Sequence, residues 1–223
     1  MRKWGILITF FYALVLLVLL LPAGVLLSGA AATPSKILSA LEEVSSEWPF
    51  WLPIGVLIAG QALLLFLSVD TSQKRLKPRS HILLSVGITS LLLGMLAFAA
   101  VYCIGCAIKG DKFGEKNLDT TAQVLGLWLL LWVLWFVIFY WYARNSSPIV
   151  TRAVSWLLKG SVLELLVAVP CHIIVRRRQD CSAPAATSFG ITTGIAIMLL
   201  SFGPSVLLLY KKRLDAYPPR SST

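Results

Sequence analysis

Cys103-Ile104-Gly105-Cys106 places two thiols three positions apart, one turn from each other on a helix, a spacing that suits thiol–disulfide exchange and metal ligation. The other two of the four cysteines, Cys171 and Cys181, stand ten positions apart with His172 beside the first. Three chemistries compete for these residues. In the first, small polarizable cysteines are plain packing, or static disulfides pinning loops in an oxidising compartment. In the second, Cys103 and Cys106 exchange disulfides with Cys171 and Cys181, and Arg176, Arg177 and Arg178 supply the positive field that raises a thiolate fraction. In the third, Cys103, Cys106, Cys181 and either Cys171 or His172 make a tetrahedral set for zinc, or a soft set for copper(I) or an iron–sulfur cluster.

In arrangement, though not in any alignable motif, the redox reading is similar to the membrane enzymes that pass electrons from protein thiols to quinone. That resemblance implies a quinone cofactor. Those enzymes are typically four-helix bundles, so the helix count departs from theirs, and no residue role is carried over.

A different chemistry is suggested by Glu164 and Gln61, polar groups inside otherwise apolar stretches. An ionisable residue in the bilayer costs several kcal/mol unless paired or hydrated, so Glu164 is a candidate proton or ion relay, with Gln61 at mid-membrane and His172 near one mouth. Lys159 is five residues from Glu164, a poor offset for a helical ion pair, and reaches water by snorkelling. The plainer expectation is that serine or threonine hydroxyls of neighbouring helices satisfy Glu164.

The elements that must position these residues are written in hydropathy. Of 223 residues 57% are hydrophobic and 13% charged, about half the charge of an ordinary soluble domain, and mean hydropathy is +0.81. A soluble globular protein and a disordered chain are both excluded. The apolar blocks are long enough to cross a hydrocarbon core of about 30 Å. An all-α, polytopic transmembrane helical bundle follows, a single integral membrane domain over 1–223 with spans near 5–27, 50–69, 82–108, 122–143, 153–175 and 188–210.

The stretch 153–175 is the ambiguous one, because Lys159, Glu164, Pro170 and His172 interrupt it. Six spans are expected, with five plus a re-entrant or interfacial segment as the alternative. All four cysteines meet one membrane face only in the six-span arrangement. The first block is read as an uncleaved anchor, since it exceeds the length of a signal core. Thr33-Pro34 should start a short interfacial helix carrying Ile37, Leu38, Leu41 and Val44 at helical spacing.

Two small-residue seams, Gly87/Ser90/Gly94/Ala97 and Ala186/Gly190/Gly194, should admit close helix neighbours, within the chain or in other membrane proteins. Trp128, Trp132, Trp135, Phe139 and Tyr142 share one helical face, read as packing or lipid contact. The net charge of +10 resides in short basic clusters at block ends. These mark topology and lipid headgroup contact, not nucleic acid. The N-terminus and the basic segment 74–79 are expected on the cytoplasmic side of a plasma or inner membrane. No phosphate-binding glycine loop, metalloprotease pattern or nucleophile elbow is present.

Overall fold

A computed structural model describes residues 2–28, 33–46, 48–70, 79–111, 113, 121–143 and 149–216. The helices are α1 (Arg2–Val15), α2 (Leu21–Ser28), α3 (Pro34–Ser46), α4 (Trp48–Asp70), α5 (Arg79–Lys109), α6 (Thr121–Ala143), α7 (Ile149–Arg178) and α8 (Ala183–Ala216). Among the described residues there is no strand. This is a multi-pass helical membrane bundle. Among the described residues, five stretches are long and apolar enough to cross a membrane: Gly5–Leu26, Leu83–Lys109, Gln123–Tyr142, Thr151–Arg178 and Ala183–Phe202, with Trp51–Leu65 a shorter apolar helix. The basic residues Lys74, Arg75 and Lys77 lie outside the described residues.

A π-helical turn, Leu16–Leu20, joins α1 to α2, and the Leu21 N–H bonds the Leu16 carbonyl across it. Pro22 accounts for it. A proline two residues past the turn has no N–H and its ring presses on the carbonyl four residues back, so a widened turn relieves the clash.

The ambiguous stretch is one uninterrupted 30-residue helix, α7, with Pro170 inside it. Its buried positions explain how it tolerates polar residues. Ala153, Leu157, Ser161, Glu164, Ala168, Cys171 and Val175 are all buried and recur every three or four residues, so they share one face. Leu163, Leu166, Val169 and Ile173 are exposed on the remainder. Apart from the exposed Ser155 and Lys159, the middle of the helix is apolar on its outer side, and Ser161, Glu164 and the small residues of the buried face point inward.

α5 and α8 form the centre, with 56% of each spanning window buried, against 6% for α6 and 11% for the first span. The first seam works as expected: a Cβ on Gly94 would stand 3.2 Å from Trp132 Cα and 3.3 Å from its backbone nitrogen. α6 therefore lies almost backbone to backbone on α5. Trp132 Nε1 donates to the Gly87 carbonyl at 3.3 Å, and Phe139 enters the core beside Trp128, Trp135 and Phe136. The aromatic face of α6 is packing. α1 is tied in by Tyr12 Oη, which donates to the Ala196 carbonyl of α8 at 3.0 Å.

α5 ends at Gly110, whose φ of 62° and N–H bond to the Cys106 carbonyl (2.8 Å) form a left-handed helix stop. Asp111 follows and reaches across to the start of α8. Its carboxylate accepts the N–H groups of Cys181 (2.8 Å), Ser182 (2.8 Å) and Ala183 (2.9 Å) and the Ser182 hydroxyl (2.9 Å). Those N–H groups open a helix and have no partner within it. The bonds from Cys181, Ala183 and Ser182 hold the Asp111 carboxyl down to about 2. The ends of α5 and α7 and the start of α8 are thereby gathered at one end of the bundle, the Asp111 end.

Candidate functional site

The most distinctive chemistry sits where α7 crosses α8. Glu164 is 3% exposed, and neither of its carboxyl oxygens has a hydrogen-bond partner. The expectation of a satisfying serine or threonine hydroxyl is therefore corrected. The carboxyl lies against bare backbone: a Cβ on Gly194 would overlap Glu164 Oε2, and one on Gly190 would stand 3.3 Å from Oε1 while overlapping Cys103 Sγ. The second seam thus admits a carboxyl from α7 and a thiol from α5. Both seams are filled from within the chain, so no free small-residue face is left at these positions for another protein.

From Glu164 a line of polar atoms leads towards the Asp111 end. Cys103 Sγ, beside the carboxyl, is 4.0 Å from the Thr187 carbonyl. His172 is 8% exposed, and its Nδ1 is 2.8 Å from Thr187 Oγ1. The Thr187 hydroxyl donates back to its own helix, to the carbonyls of Ala183 (3.0 Å) and Pro184 (3.2 Å), which leaves its oxygen to accept from the imidazole. Sequence reasoning singled out His172 but not Thr187. The threonine stands three positions before Gly190 on the same helix face, a placement only the partner helix reveals.

Cys103 and Cys171 pack into one apolar cluster with Ala107, Ala168 and Ile191. Cys106 belongs to a neighbouring cluster with Val175 and Ala183. Cys181 is exposed, in the turn that Asp111 holds, and all four thiols are free. Gly105 within the Cys-x-x-Cys run makes room for packing, since the Phe113 ring lies where its Cβ would be. Arg176, Arg177 and Arg178 occupy the exposed last turn of α7, whereas the three buried thiols pack into apolar clusters, Cys103 also meeting the Glu164 carboxyl; burial of this kind keeps a thiol unreactive. Among the described residues, no group of three or more His, Cys, Asp or Glu is arranged to hold a metal ion. The physical reason lies in the helix faces, which turn the cysteines into two clusters and one solvent-facing turn.

Gln61 is 1% exposed on α4 and its Oε1 also lacks a partner. Its neighbour Gly60 meets Ile88 and Leu92 of α5, about three helical turns from Cys103. Gln61 and Glu164 therefore occupy different levels of the bundle. Lys159 is exposed.

No protein-family model matches the chain, and no curated protein or solved structure is significantly similar to it. The class that fold and site define is a multi-pass helical membrane protein with a buried, unpaired carboxyl between α7 and the central α8.

Proposed function

We propose that the protein is a transporter of the cytoplasmic membrane, its N-terminus on the cytoplasmic side, in which Glu164 takes up and releases a proton, or exchanges it for a small cation. The observation that carries this reading is the pair of buried, partnerless carboxyl oxygens seated in the Gly190/Gly194 cradle. A charged carboxylate without a counter-charge is costly in hydrocarbon. The resting packing thus favours the neutral acid, and releasing its proton requires water or a cation to arrive. His172, Thr187 and Cys103 support a route from the Asp111 end, the histidine serving as its outermost titratable group.

The test is acid-driven proton entry into vesicles containing the purified protein, read by an entrapped pH dye, together with labelling by a hydrophobic carbodiimide that attacks protonated carboxyls. Wild type should carry protons and acquire the label at Glu164; Glu164→Gln should lose both. Flux in Glu164→Gln equal to wild type would end this reading.

A second reading rests on Cys103 and Cys171, free thiols on facing helices within one cluster. Joining them as a disulfide would pass two electrons and two protons to a membrane quinone, giving the quinol. Glu164→Gln would spare that activity and Cys103→Ser would abolish it, so the two variants separate the readings.

A further inference from the structure

A cavity of about 300 Å³ lies on the other side of α8 from the carboxyl cradle, between the π-helical turn, α2, α3, α4 and the first turns of α8. Leu16 and Leu20 of the π-helical turn line one side, Leu41 of α3 another, and Ile54, Leu57 and Phe189 are also in the lining. Among the described residues, no charged one lines it. Two of its three hydroxyls are turned to their own helix: Ser188 Oγ donates to the Ala185 carbonyl at 2.7 Å, and Thr192 Oγ1 to the carbonyls of Ser188 and Phe189, both at 3.0 Å; Thr193 is the third. A lining that is otherwise apolar, with two of three hydroxyls already committed, offers little to a polar solute and excludes nothing apolar.

The cavity is also placed where lipid is the surrounding solvent. Leu14, Val18 and Leu19 of the first span are exposed beside the π-helical turn, so the cavity wall continues the lipid-facing surface. The start of α4 and the start of α8 both contribute to it, which sets it in the half of the bundle nearer the Asp111 end. α3 above it is a short helix with Leu41 turned to the cavity and Lys36 and Glu42 exposed, the composition of a segment lying in the interface. Taking a methylene as about the size of a water, roughly 30 Å³ of liquid, the space holds roughly ten carbons of one chain.

We propose that this cavity is a binding site for a single acyl chain of a bilayer phospholipid, entered from the membrane beneath α3. The π-helical turn is part of the site: the widened backbone that Pro22 imposes sets Leu16 and Leu20 back against its wall.

The experiment uses the full-length protein in nanodiscs of phosphatidylcholine carrying a photoreactive diazirine midway along one chain, with cross-linked peptides mapped by mass spectrometry. Wild type should label at the cavity-lining residues Leu16, Leu20, Leu21 and Thr193, read apart from the exposed Leu17, Val18 and Leu19, as well as on the outer face around Phe10 and Phe11. Gly24→Leu sends a side chain into the cavity from a position where a Cβ meets only Thr192 Cγ2, at 3.4 Å. It should lower cavity labelling about tenfold and leave outer-face labelling unchanged. Thr192→Val keeps the shape and should label as wild type does, which separates lost space from general misfolding. Equal cavity labelling in wild type and Gly24→Leu, labelling confined to the outer face, or recovery of a polar solute or a peptide in place of lipid would each overturn the proposal.

Discussion

Gly194→Ala tests the carboxyl cradle most directly. Any side chain at this position begins with a Cβ that overlaps Glu164 Oε2 and stands 3.0 Å from both Leu165 Cδ2 and Cγ. Two opposing magnitudes are at work. Replacing a helix-interior glycine by alanine favours the helix by about 1 kcal/mol, while forcing a methyl into filled space costs about 1–3 kcal/mol. The net change in the wild-type background is therefore a loss of about 0–2 kcal/mol, too broad a range to be diagnostic by itself. The coupling is sharper. In Glu164→Ala the obstructing oxygen is gone, whereas the Leu165 contact is common to both backgrounds and cancels. Gly194→Ala should then cost about 1–3 kcal/mol less than it does in wild type. The four proteins of this cycle can be compared by reversible unfolding in mixed micelles, followed through tryptophan fluorescence. A coupling under about 0.5 kcal/mol, the range of independent sites, would show that the carboxyl does not occupy the Gly194 surface.

Three further outcomes are expected. Gly94→Val should destabilise by about 1–3 kcal/mol, because the neighbour its Cβ meets is the α6 backbone, which yields poorly; Gly126→Ala, where nothing lies within 4 Å, should be neutral or slightly stabilising in the same unfolding assay. Asp111 has its carboxyl held below the ordinary value of about 3.9, so its contribution is complete above about pH 4 and is lost as pH falls through about 2. A Tm advantage over Asp111→Asn should follow that course, and an advantage that persists unchanged at pH 2 would refute the carboxylate's role at the α8 start. With maleimide on the folded, unreduced protein, Cys181 should label readily and Cys103, Cys106 and Cys171 only after denaturation. Rapid labelling of Cys171 would contradict its place in the apolar cluster.

Much of the helical layout was legible because spans are long, locally determined hydropathy signals. The Gly87/Gly94 seam was equally legible, since small residues at three and four spacing have few other uses in a membrane helix. α7 was the hard case. Averaged hydropathy is blunted by Lys159, Glu164 and His172, yet a signal was available in the periodicity: small and polar residues at Ala153, Ser161, Glu164, Ala168 and Cys171 share one face, while Leu163, Leu166 and Val169 share the other. That pattern is amphipathicity turned inside out, which a count of charges does not register. What no reading of one sequence supplies is convergence. That Glu164 meets Cys103 over Gly190, that Asp111 serves the start of α8, and that the cysteines part into two clusters and an exposed turn depend on helix rotations settled by packing across distant segments.

The inward polarity of α7 also bears on how the chain enters the membrane. α7 and α8 are the two least apolar candidate spans, with window hydropathies of 1.8 and 1.6 against 2.2 to 2.8 for the other three. A mid-helix carboxyl adds about 2.5–3.5 kcal/mol to the cost of partitioning a lone segment on the insertion scale. Four residues join the two helices, and the surface of α8 that receives Glu164 arrives only when α8 itself is made. Insertion should thus proceed by the pair, as a helical hairpin released together from the translocation machinery. Chains truncated after Arg178 should leave α7 largely uninserted in a glycosylation-mapping assay, and efficient insertion of α7 alone would rule this order out.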